Sequence, residues 1–140
     1  MTSTLRRAAV IGTAVLLAAG FGIASAATVH VRLSGSHETP PVKTAASGSG
    51  VIKVAADGTV SGKITTRGIK GTMAHIHEGA PGMAGPPIIH LMAGPKGTWM
   101  VPPGSKLTPH QMQEFRAGEL YVNVHSAAHP GGEIRGQLKP

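Results

Sequence analysis

Val29, Val31 and Leu33 alternate with Thr28, His30 and Arg32. That period of two predicts a strand with one buried face. Residues 34–47 hold Pro40-Pro41 and read as a loop. Residues 48–55 read as a second strand, with Ile52 and Val54 on opposite faces as in a sandwich or an edge. Ala56-Asp57-Gly58-Thr59 is a hairpin signal, because Asp-Gly accepts positive φ. Residues 60–67 follow with Val60, Gly62 and Ile64 on one face. After a turn at 68–71, residues 72–78 form a further strand. Residues 79–87, rich in Gly and Pro, are a loop. Short extended pieces at 88–92 and 98–101 come next, the second with the one Trp.

One segment breaks the two-residue period. Thr108 is suited to cap a helix, Pro109 to open it and Gln111 to complete a capping box, while Leu107 and Met112 are spaced for a hydrophobic staple. Gly118 is placed to end the helix in a left-handed conformation, so residues 109–117 are predicted helical. Residues 120–125 and 133–138 return to strand and should pair antiparallel across the turn between them. Seven or eight short strands punctuated by Gly and Pro predict an all-β fold. The architecture expected is an antiparallel, Greek-key-like β-sandwich with one short helix.

The N-terminus belongs to a different pattern. Arg6 and Arg7 precede an apolar run over residues 8–23, and Ala24-Ser25-Ala26 fits a cleavage site. Residues 1–26 read as a signal peptide that is removed, leaving residues 27–140 as one domain in the periplasm or secreted. The run is short and glycine-rich for a span needing about 20 apolar residues, so no stable membrane insertion is expected after cleavage. The paired arginines allow a twin-arginine route, but ordinary secretion fits the surrounding residues better.

Charge and composition narrow the chemistry. The formal net charge is +7, of which Arg6 and Arg7 contribute two. The remaining cations are scattered singly and aromatics are 3% of residues, so neither a basic run nor a stacking platform for nucleic acid is present. There is no cysteine. Disulfides, thiolate metal sites and thiol nucleophiles are thereby excluded. No Ser-His-Asp order or close carboxylate pair argues for a hydrolase. Any metal site must use His, Met, carboxylate or backbone oxygen.

The chain carries eight histidines. Met73, His75 and His77 in Met73-Ala74-His75-Ile76-His77-Glu78 share a strand face. Same-face neighbours lie about 6.5–7 Å apart at Cα, and two imidazoles leaning together can hold one ion at about 2 Å. On the strand at 120–125, Leu120, Val122 and Val124 look like core, and Tyr121, Asn123 and His125 share the other face. If the two strands lie in one sheet, His125 stands beside His75 or His77. Three imidazoles would suit copper or zinc. His129 in the following turn, or Met73 as a thioether favouring Cu(I), would complete the site. Whether His90 reaches it is open. His30, His37 and His110 read as surface or capping residues. An ion pair or backbone contact is the ordinary reading of Glu133 and Arg135.

Several segments together resemble the CHRD domain, named from chordin. They are Leu33-Ser34-Gly35, Glu38-Thr39-Pro40-Pro41-Val42, Ala56-Asp57-Gly58-Thr59, Ala74-His75-Ile76-His77 and Leu107-Thr108-Pro109. The longest is Leu120-Tyr121-Val122-Asn123-Val124-His125-Ser126-Ala127-Ala128-His129-Pro130-Gly131-Gly132-Glu133-Ile134-Arg135-Gly136-Gln137-Leu138. The resemblance spans about residues 31–138. It implies an extracytoplasmic β-sandwich without a settled biochemical activity, and it supports one shared site for His75, His77, His125 and His129. The His-x-His-Glu run also resembles the copper-ligand strand of Cu/Zn superoxide dismutase. This chain departs from that enzyme in having no cysteine pair and no His or Asp in residues 79–87 for a zinc subsite.

Three functions follow. The leading one is an exported copper-binding protein, with zinc as the alternative metal, acting in metal binding, storage or delivery and not as an enzyme. Its His ligands must be neutral to coordinate, so binding should weaken as pH falls through about 6. The second is a structural or interaction module for an envelope component or partner protein. The third is a dismutase-type redox enzyme, with Arg135 as its anion guide.

Overall fold

The computed structural model describes residues 26–140. The expected signal peptide and its cleavage site lie almost entirely outside the described residues. Nine strands form one antiparallel sheet: β1 (Ala27–Ser34), β2 (Ser47–Val54), β3 (Val60–Arg67), β4 (Gly71–Glu78), β5 (Pro87–His90), β6 (Met92–Ala93), β7 (Thr98–Met100), β8 (Leu120–Ser126) and β9 (Ile134–Leu138). Their order is β5-β4-β8-β9-β1-β2-β3-β7-β6.

The two ends of that order are successive pieces of one extended segment. β5 pairs with β4 and β6 pairs with β7, while the Leu91 amide between them donates to Ala74 O at 2.9 Å. The sheet therefore comes close to closing on itself. On the far side β9 and β1 meet through the single register pair Ser34↔Arg135. Two halves face each other across the core, and the sandwich-like, nearly closed form agrees with the expected all-β fold.

Alternation decides which residues fill the interior. Val29, Val31 and Leu33 of β1, Val60 and Ile64 of β3, Ala74 and Ile76 of β4, and Leu120, Val122 and Val124 of β8 are all buried. Ile52 and Val54 are both in this core. Residues two apart share a strand face, which corrects the expectation that they point opposite ways. The Asp57-Gly58 turn forms as expected, with Ala55 N–H donating to Thr59 O at 2.8 Å.

The helix α1 (Pro109–Ala117) has the expected bounds. Thr108 accepts from the Gln111 amide and Gln111 Oε1 accepts from the Thr108 amide, closing the capping box. Gly118 ends it at φ 75°, a left-handed conformation costly to other residues. Phe115 seats the helix on the core. Among the described residues no helix is long and apolar enough to cross a membrane.

β8 is buried along its whole length, on both faces. The inner face is core. The outer face, Tyr121, Asn123 and His125, is covered by the loop between β4 and β5, the segment after β1 and the β8–β9 turn. That covered outer face is where the polar chemistry gathers.

Candidate metal centre

β4 and β8 pair with Met73↔His125, His75↔Asn123 and His77↔Tyr121. Cross-strand partners share a face, so the expected alignment of the two strands is present. His75 Nδ1 lies 3.0 Å from His125 Nε2. One potential ligand nitrogen from each of His75, His77 and His125 falls within 4.8 Å of the others. All three residues are buried, at 6%, 8% and 7% exposure.

The remaining ring nitrogens fix how these imidazoles present themselves. His125 Nδ1–H donates to Pro130 O at 2.9 Å, and His77 Nδ1–H donates to Gly85 O at 2.9 Å. In the neutral ring each bond leaves Nε2 as the lone-pair nitrogen. His125 Nε2 accepts from His75 Nδ1. His77 Nε2 is buried with no partner at all. An unpaired buried polar atom costs about 1–3 kcal/mol, and a free lone pair on a ring 5.3 and 5.9 Å from the His75 and His125 rings is one that a cation could satisfy. A tetrahedral or trigonal ion at about 2 Å from each nitrogen needs them about 3.3–3.5 Å apart. The His75–His125 pair is already near that spacing, and His77 needs a modest approach.

Burial favours the neutral form of His75 and His77. Burial, followed by the neighbouring His125, His90 and His77, pushes the His75 pKa down to about 4. Burial also lowers that of His77, against the opposing Gly85 hydrogen bond. Neutral imidazole is the form that coordinates metal.

Behind His77 stands a buried support. The Tyr121 ring stacks on it at 4.8 Å between centroids. The Arg135 guanidinium lies 3.5 Å over the other side of Tyr121 and donates to Ala80 O and Met83 O at 2.9 and 2.8 Å. Tyr121 Oη accepts from the Gly85 amide at 3.1 Å. Gln137 Nε2 donates to Gly79 O at 2.7 Å. The loop that carries the His77 acceptor is thus tied down along residues 79–85. Gly85 is required there, because a Cβ would fall 1.6 Å from Glu78 O. A second support lies beside His125: Asn123 donates to Glu38 Oε1, and Glu133 accepts from Ser126 and Thr44 at 2.7 and 2.8 Å.

Met73 sits opposite His125 on the same face but is 51% exposed and outside the buried trio. His129 is half-buried and closes the β8–β9 turn through its backbone, and the convergent group does not include it. His90 pairs with His75 across β4 and β5, with ring centroids 4.5 Å apart, and is exposed. His30 and His37 are exposed, as expected. His110 is also exposed and meets Glu78 Oε1 at 3.0 Å. Glu133 and Arg135 each engage partners other than one another. The sequence pattern missed Glu38 as a buried partner of Asn123. It also missed Gly85 as the residue holding the His77 tautomer. The Gly/Pro density of residues 79–87 was the available signal for the latter.

The profile of the CHRD domain matches residues 29–138. The chain belongs to the CHRD family. The match covers all nine strands except the first two residues of β1, and it contains every residue of the centre. No curated protein and no solved structure matches this CHRD chain.

Proposed function

We propose that this CHRD domain binds one transition metal ion, copper in preference to zinc, through His75, His77 and His125. Its role would be metal binding, storage or delivery outside the cytoplasm. The observation that carries the reading is the unpartnered, buried His77 Nε2 on a ring that lies beside the His75 and His125 imidazoles. Three neutral imidazoles without thiolate or carboxylate suit copper, which N-donor sites hold more tightly than zinc. For His75 Nδ1 and His125 Nε2 to face one ion, the proton between them must move, and the opposite nitrogen of His75 can take it.

The dismutase-type reading loses support. Arg135, the expected anion guide, is 2% exposed and engaged with loop carbonyls and Tyr121. The interaction-module reading leaves the orphaned His77 nitrogen without explanation. Equilibrium dialysis of the untagged protein against copper and zinc tests the proposal. One equivalent should bind to the wild type and be lost in the His75→Ala/His77→Ala variant. Equal binding by both would overturn it, and would favour the interaction module.

A further inference from the structure

Outside the buried trio, the same outer face continues as a row of soft side chains. β8 and β4 supply His125↔Met73, and β6 and β7 supply Met92↔Met100. His75↔His90 and the Leu91 amide bonded to Ala74 O set the register where the sheet nearly closes. Ala74, Ile76, Ile89, Leu91 and Trp99 are core. By alternation Met73, His75, His90, Met92 and Met100 all point outward. Met73 is 51% exposed and Met92 43%, and His90 is exposed beside the buried His75 ring.

An exposed pair of methionines on strands is costly ornament for a small domain, since apolar surface left in water forgoes about 25 cal/mol per Å². Thioethers and an imidazole together form a soft donor set that selects Cu(I). The buried trio has no comparable open flank on the Tyr121 side, where Arg135 and the residue 79–87 loop close it.

We propose that Met73, His90 and Met92 form an exposed docking position for Cu(I), from which the ion passes by ligand exchange to His75 and the buried trio. The inference rests on the copper-binding reading and adds a route and an oxidation state to it. No electron changes hands: thioether–metal bonds break as imidazole–metal bonds form, and copper remains Cu(I) throughout.

The test uses the full domain with 13C-methyl-labelled methionine and Ag(I), a redox-inert probe of Cu(I) sites, followed by Cu(I) uptake under anaerobic conditions. In the His77→Ala/His125→Ala variant, Ag(I) should still shift the Met73 and Met92 methyl signals. It should leave Met83, which is 62% exposed on the residue 79–87 loop, unmoved. In the Met73→Leu/Met92→Leu variant, Cu(I) should reach the wild-type stoichiometry more slowly. Unmoved Met73 and Met92 signals, equal shifts at Met83, or unchanged uptake in the leucine variant would each overturn the docking position. If wild-type protein takes up no Cu(I) at the histidines, the copper reading itself fails, so the two failures are distinguishable. Melting curves of both variants check that each is folded, and His90→Ala alone provides a second, milder lesion of the same position.

Discussion

Replacing Arg135 by Met keeps most of the side-chain volume and removes the guanidinium that anchors the loop over His77. The lost interactions are hydrogen bonds to Met83 O, Ala80 O and Gln137 Oε1 at 2.8, 2.9 and 3.1 Å and the contact with the Tyr121 face. Hydrogen bonds to a charged group contribute about 1.5–3 kcal/mol each. Against them stands the cost of keeping a cation at 2% exposure; that burial is the leading reason its pKa is lowered. Relief of this desolvation offsets part of the loss, leaving a net destabilisation of about 2–4 kcal/mol. Urea unfolding should show a lower midpoint with an unchanged slope. The second readout is metal affinity. Residues that orient a ligand typically change affinity about 10–100-fold when removed, so copper should bind R135M more weakly by that order. An unchanged midpoint would refute the energetic argument. A lower midpoint with unchanged affinity would refute the link from Arg135 through the loop to the His77 tautomer.

Gly85→Ala should destabilise the domain by about 1–3 kcal/mol, the usual cost of forced overpacking, because its Cβ would meet Glu78 O; hydrogen exchange should speed up first at residues 79–87, and an unaltered loop would contradict the geometry. The metal-free protein should lose stability as pH falls from 6.5 toward 4. With the folded pKa of His75 held at about 4, the unfolded chain binds a proton there that the folded chain does not, so the contribution is complete above pH 6.5 and lost below. The shift corresponds to about 3 kcal/mol at most, and to about 1–2 after allowing for water at the His90 edge. Urea unfolding at pH 7 and pH 4.5 should show a smaller drop for His75→Asn than for wild type; equal drops would contradict it. This window also lowers the pH, relative to the value near 6 expected from ordinary histidines, at which protons compete for His75 itself.

The strands were legible because core positions obey a strict period of two. Val29, Val31 and Leu33, and Leu120, Val122 and Val124, announce their inner face without any tertiary information. The helix was legible to its ends because Thr108, Gln111 and Gly118 are local signals with local partners. The His75/His77/His125 alignment could be stated only conditionally, since strand adjacency depends on contacts 50 residues apart. The covering of that face was not legible at all. Residues 79–87 and 35–44 have no periodicity, and their hold on the sheet comes from backbone carbonyls meeting Arg135 and Gln137 and from the Glu38–Asn123 pair. The same gap explains Arg135: a backbone contact was its ordinary reading, but which carbonyls it meets, Ala80 O and Met83 O, depends on how the loop folds over the sheet. His129 illustrates the remaining limit, because sharing a turn with a site does not bring a ring into it.

The most direct test of the central claim is anomalous diffraction from crystals of the copper-loaded protein. The account predicts one strong copper peak bounded by His75 Nδ1, His77 Nε2 and His125 Nε2, each at about 2 Å. A peak found only at exposed histidines such as His30 or His37, with the His75–His125 hydrogen bond intact, would contradict it.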